Sequence, residues 1–205
     1  MPVCKDREYR AMPLLIPAEA NKRFDTDYYV EGYATTFDDP YILWECDGVQ
    51  YKEVIDRHAL DGADLSDVIM QYDHGGRVFA RTGKSNTLLI EPQEHGLFMA
   101  ADLSKTEQAR SMHEDIAAGL VTKMSWAFTV QEDSYDRDTH TRRILKIKKV
   151  YDVSAVSFPA NPSTDISARS WLDGVIEAEK AERLAAQAAE RRKQRLRVYL
   201  EVIRK

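Results

Sequence analysis

A serine hydroxyl becomes a nucleophile only when it is held still and given a base. Residues 121–130, Val-Thr-Lys-Met-Ser-Trp-Ala-Phe-Thr-Val, meet the first condition. They alternate with period two and predict a strand. Met124, Trp126, Phe128 and Val130 form one apolar face; Ser125, Ala127 and Thr129 form a small, polar opposite face, expected to be open. Most serines on strands only fill space or bond a neighbouring backbone, so the argument needs partners. The usual base is histidine, whose pKa lies near neutrality. Five are present: His58, His74, His95, His113 and His140. His58 and His113 fall in expected helices, and His95 and His140 in solvated turns. His74 follows the apolar strand expected over residues 67–72 and precedes Gly75-Gly76, so a strand end fixes its ring while two glycines leave room for another chain. The plainer reading is that Gly-Gly makes a turn and His74 is part of it. A third group must hold the imidazole tautomer. Asp152 opens the otherwise apolar run 153–158, where an unpaired charge is costly. It is also explained by a salt bridge to Lys148 or Lys149. Asp73 is adjacent to the histidine and poorly placed to reach its ring; His140 is a further option.

The elements that must position these groups are mostly strands. Residues 1–26 mix Pro2, Pro13 and Pro17 with charge and the patch Leu14-Leu15-Ile16, and predict an arm or an edge strand. Residues 28–35 are aromatic and β-branched. Residues 41–45 and 49–55 flank an Asp47-Gly48 hairpin turn, and Asp56 caps a short helix over 57–60. Residues 67–72 give a strand, and 87–91 with 96–102 a hairpin. Ser104 and Glu107 form a capping box for a helix running to about Ala118, stopped by Gly119, with Ala109, Met112, Ile116 and Leu120 on its core face. After the Ser125 strand, residues 133–139 read as an exposed hairpin end. Two further strands follow over 143–150 and 152–158, and Pro159-Ala160-Asn161-Pro162 breaks the chain. Residues 173–204 hold no proline, and their acidic residues precede their basic ones, which predicts one long helix in keeping with its dipole. It reads either as a solvated tail or as a docking arm. The expected fold is mainly β with flanking helices, α+β: an antiparallel β-barrel plus a long C-terminal helix. The expected organisation is an arm at 1–27, a barrel domain at 28–170 and a helical tail at 171–205.

Composition bounds the function. With 205 residues and 43% apolar residues, the chain is long enough for one domain with a sizeable core. A net charge of -5, with the basic residues clustered in the tail, argues against bulk attraction to nucleic acid. No apolar run is long enough to span a bilayer, and the charged N-terminus does not resemble a signal peptide, so a cytosolic, membrane-free setting is expected. Two cysteines, Cys4 and Cys46, cannot make a structural zinc site unaided. Both read as incidental, with Cys46 a small buried hydrophobe. No metal or organic cofactor is expected.

Three blocks in order resemble a known family. Met70-Gln71-Tyr72-Asp73-His74, Lys123-Met124-Ser125-Trp126-Ala127-Phe128 and Asp152-Val153-Ser154-Ala155-Val156-Ser157-Phe158-Pro159-Ala160-Asn161-Pro162 look like those of the tailed-phage prohead maturation serine proteases. Gly32-Tyr33-Ala34 and residues 55–60 resemble the family's opening blocks, so the likeness spans about residues 28–170. It implies a serine endopeptidase with a fold similar to the herpesvirus assembly proteases, a β-barrel ringed by helices. The family's histidine matches His74 and its nucleophile Ser125. Its third position often carries glutamate before Val-Ser; here it is Asp152, one methylene shorter. The herpesvirus relatives use a second histidine there, which keeps His140 in view. By the same comparison the backbone N–H groups of Ala160 and Asn161 are the oxyanion candidates. The resemblance further implies cleavage of scaffold or capsid-protein extensions, and of the protease itself, inside an assembling procapsid in the bacterial cytoplasm, with the capsid or scaffolding protein as partner. Whether the chain forms a homo-oligomer is left open. The alternatives are a non-catalytic assembly protein on the same scaffold, or a different serine hydrolase.

Overall fold

The computed structural model describes residues 8–15, 22–46, 48–157 and 166–203. Its strands are β1 (Glu8–Leu15), β2 (Tyr29–Thr36), β3 (Tyr41–Cys46), β4 (Val49–Ile55), β5 (Ile69–Tyr72), β6 (Gly75–Arg81), β7 (Leu88–Pro92), β8 (Gly96–Asp102), β9 (Lys123–Asp136) and β10 (Thr141–Val156). Helix α1 (Glu107–Ala117) lies between β8 and β9, and α2 (Ile166–Ile203) follows β10. The chain divides into two compact units, Met1–Ala168 and Arg169–Lys205. The fold is mainly β with two helices, α+β.

The strands make one path, β3-β4-β10-β9-β1-β2-β8-β7, with the β5–β6 hairpin attached to β10. Two expectations change here. Among the described residues the path is open and does not close into a barrel. The sheet is also mixed, because β10 pairs antiparallel with β9 on one side and parallel with β4 and β5 on the other. The cause is length. The expected pair of strands over 143–158 is a single strand of 16 residues, bent at bulges between Ile144 and Asp152. Such a strand offers one edge to two short strands in succession. Residues 52–72 run alongside it, tied by Asp56 N–H to the Ile144 carbonyl (3.0 Å), Ile147 N–H to Ala59 (2.7 Å) and Val150 N–H to Asp64 (3.1 Å). This rail delivers the end of β5 to the end of β10. Residues 57–62 along it are turns rather than the expected short helix.

Within the stretch expected as an arm or edge strand, residues 8–15 form a strand that lies between two others in the sheet. β1 pairs with β9 from Glu8↔Phe128 to Pro13↔Lys123, then with β2 at Leu14 and Leu15. Its charges pay for that position with partners. Arg10 bonds Glu53 (2.6 and 2.8 Å) and Glu8 (2.8 Å). Arg142 of β10 bonds Glu8 (2.6 and 3.0 Å), Glu53 (3.2 Å) and Asp133 (2.6 Å), and the Tyr41 hydroxyl donates to Glu53. Glu8, Arg10, Glu53 and Arg142 are all buried. Burial pushes the Glu53 carboxyl up, but Arg10 and Arg142 hold it below the usual carboxylate range. Burial likewise pulls the Arg142 guanidinium down, while Glu53 and Glu8 raise it overall.

The expected open face of β9 is covered: Met124 through Val130 are buried on both sides of the sheet. Trp126 stacks on Phe128 with ring centroids 4.1 Å apart, and Arg10 lies 5.6 Å from the Phe128 centroid. α1 buries Ala109, Met112 and Ile116, as its spacing predicts, but Leu120 is 72% exposed beyond the helix end. Gly119, at φ +73°, provides the stop. The N-cap is Thr106, whose hydroxyl accepts Ala109 N–H, and not Ser104. Ser104 N–H is already bound by the Asp102 carboxylate (2.9 Å), which turns the chain before the helix can start.

Candidate active site

Three elements converge on one face of the sheet. Ser125 lies on β9 directly opposite Ser154 of β10, and Asp152 lies opposite Ala127. Side chains two apart on a strand share a face, so Ser125, Asp152 and Ser154 project to the same side. His74 comes from the loop of the β5–β6 hairpin, brought in because Ile69 pairs with Asp152 and Tyr72 with Ala155. The β6 strand that completes this hairpin was not foreseen, because Gly75-Gly76 read as the turn. The turn residues are in fact Asp73 and His74, with Tyr72 paired to Gly75.

The contacts are short. His74 Nε2 lies 2.7 Å from Ser125 Oγ, and His74 Nδ1 lies 2.6 Å from Asp152 Oδ1. A carboxylate only accepts, so Nδ1 carries the ring proton and Nε2 presents a lone pair to the serine hydroxyl. Ser154 Oγ donates to the same Asp152 oxygen at 2.6 Å. Ser125, Asp152 and Ser154 are 1%, 2% and 0% exposed, and the His74 side chain 15%. A continuous hydrogen-bond chain from hydroxyl to imidazole to buried carboxylate permits deprotonation of the alcohol, with the resulting imidazolium facing an anion. Ser154 is a member that sequence reasoning passed over. The signal was there: it stands two residues after Asp152 in a strand and so shares its face.

The other sequence candidates lie elsewhere. His140 sits at the far tip of the β9–β10 hairpin, against Tyr51 and the Tyr135 hydroxyl, about 40 Å of strand from Asp152. His58 pairs with Asp61, His95 packs on Tyr33 and His113 on Tyr28. Lys149 pairs with Asp64 (2.7 Å). Asp73 does not bond the His74 ring; its carboxylate binds Ser157. Ala160 and Asn161 lie outside the described residues, as do Cys4 and the side chain of Cys46. Among the described residues no group of three or more His, Cys, Asp or Glu side chains is arranged to hold a metal ion, and no helix is long and apolar enough to cross a membrane.

A family model described as caudovirus prohead serine protease matches residues 16–175. No curated protein and no solved structure gives a significant match.

Proposed function

The chain belongs to the caudovirus prohead serine protease family, and from that premise we propose that it is a serine endopeptidase with Ser125 as nucleophile, His74 as general base and acid, and Asp152 as the orienting acid. The observation that carries the reading is the unbroken pair of hydrogen bonds, 2.7 and 2.6 Å, from Ser125 through His74 to Asp152.

Ser125 Oγ attacks the scissile carbonyl carbon as its proton passes to His74 Nε2. The imidazolium so formed is balanced by Asp152, whose charge Ser154 helps to fix. The tetrahedral intermediate collapses as His74 returns the proton to the leaving amine, leaving an acyl-enzyme on Ser125. Water then attacks, again losing its proton to His74, and the serine is regenerated. The oxyanion needs N–H donors. The amides of Ala160 and Asn161 are our candidates.

For substrates we propose capsid-protein or scaffold extensions in an assembling procapsid within the host cytoplasm, and the protease chain itself, a reading that membership of the family supports. The segment 171–205 is proposed as the arm that docks on a helical scaffold partner. Its exposed residues, Leu184 at 66% among them, support this.

The purified chain should react with a fluorophosphonate probe at Ser125 and accumulate new termini, mapped by mass spectrometry. Ser125→Ala should lose both, and His74→Ala should slow the labelling severely. A folded wild-type chain that neither labels nor cleaves would refute the assignment and favour a non-catalytic assembly role. Labelling without any peptide-bond cleavage would favour a different hydrolase.

A further inference from the structure

The turn that presents His74 is strained. Asp73 and His74 form a two-residue hairpin loop, and both have positive φ, 45° and 56°. Such loops require left-handed backbone at both positions and are normally filled by Asn, Asp or Gly. Histidine at the second position has its ring nitrogens committed to Ser125 and Asp152 and so gains no local backbone bond to offset the crowding that any β-carbon meets there. A conformation of this kind persists only when its surroundings over-determine it.

The over-determination comes from Asp73. Its amide donates to the Ala155 carbonyl at 3.0 Å. Its carboxylate accepts Ser157 N–H on Oδ1 at 3.0 Å and the Ser157 hydroxyl on Oδ2 at 2.9 Å. All three bonds end on β10 or on the residue just beyond it. That is the strand carrying Asp152 and Ser154. The turn bearing the imidazole is therefore fastened to the element bearing its acid, through a residue sharing a peptide bond with His74.

We propose that Asp73 is a positioning residue: through Ser157 it fixes the backbone of the turn and thereby sets the His74 ring between Ser125 and Asp152. The proposal rests on the reading of His74 as the base. The leverage is large, because a displacement of the ring by about 1 Å can cost about 100-fold in rate. The carboxylate acts by geometry and not by charge on the ring, since both of its oxygens are engaged by Ser157.

The test is the rate constant of Ser125 labelling by a fluorophosphonate, read separately from its final amplitude, which reports the folded fraction. Asp73→Ala should lower the rate constant about 10- to 100-fold. Asp73→Asn keeps the left-handed tolerance and an acceptor for Ser157 N–H, so it should stay near the wild-type rate with an unchanged acid limb of the pH profile. Ser157→Ala, which keeps the N–H bond, should fall between and covers the case in which Asp73→Ala does not fold. Wild-type rate constants in both Asp73→Ala and Ser157→Ala, with only the amplitude reduced, would overturn the proposal while leaving the base assignment standing. So would an Asp73→Asn variant as slow as Asp73→Ala with a displaced acid limb, since charge would then be the operative property. A wild-type chain that does not label, or labels equally as Ser125→Ala, would overturn the base assignment and the proposal with it.

Discussion

Replacing Ser154 by alanine removes one hydroxyl and separates two contributions that are usually confounded. Ser154 Oγ donates at 2.6 Å to Asp152 Oδ1, which also receives His74 Nδ1 at 2.6 Å. Both Ser154 and Asp152 are essentially sealed from solvent, so bulk water does not replace the lost donor. A hydrogen bond to an ionised group is worth about 1.5–3 kcal/mol. Expressed wholly as transition-state destabilisation, that is about a 10- to 150-fold slower reaction of Ser125. The part already felt by the resting carboxylate appears instead as lost folding stability. The two measured losses, from fluorophosphonate labelling rates and from urea unfolding, should therefore sum to about 1.5–3 kcal/mol. Ser154→Thr, which restores a hydroxyl on the same carbon, should recover much of the labelling rate. A Ser154→Ala chain with wild-type labelling and a wild-type unfolding midpoint would show that Asp152 does not depend on this donor.

Three further outcomes are expected. Arg142→Met leaves Glu8, Glu53 and Asp133 facing one another with Arg10 as the remaining guanidinium partner of Glu8 and Glu53, and should destabilise the chain by about 3–5 kcal/mol in urea titration; the exposed pair Arg81–Asp67, cut by Arg81→Ala, should leave the midpoint unchanged. Gly96→Ala would place a β-carbon 2.0 Å from the Thr35 carbonyl oxygen and should cost about 1–3 kcal/mol, visible as a lower thermal midpoint. Burial pulls the His113 imidazole below its ordinary value, Lys22 assisting and Glu114 opposing. The unfolded chain therefore takes up this proton at a higher pH than the folded one, and stability should fall as pH drops from 7.5 to 5.5, through the ordinary histidine value of about 6.5. His113→Phe should show a shallower fall in thermal midpoint over the same range.

Much of the site could be read before the fold was known because its signals are local. Period two placed Ser125 on a strand, and the scarcity of charge around Asp152 marked it as needing a partner. What escaped depends on distant chain. β1 looks like an edge strand until β9 is seen pairing with Glu8 to Pro13 and β2 with Leu14 and Leu15. The polar face of the Ser125 strand looks open because its cover is non-local. β10 looks like two strands because Lys148, Lys149 and Tyr151 interrupt the apolar alternation, an interruption the sheet absorbs as bulges. Ser104 satisfies a capping pattern, yet Asp102 takes its amide first. The Asp73-His74 turn breaks a rule that assigns left-handed backbone to glycine, with two glycines standing immediately beyond it.

The order in which the strands appear during synthesis has a consequence for timing. β1 is made before the other described strands but pairs with β9, so Glu8 must wait for Phe128. The hairpin bearing His74 waits longer, since β10 and its anchoring groups, Ala155 and Ser157, are made after every other described strand. Pairings of such sequence separation form late. Until residue 157 has emerged, the bonds that fasten the Asp73-His74 turn to Ala155 and Ser157 cannot all form, so the geometry of that turn is completed only after the last strand of the sheet has been made.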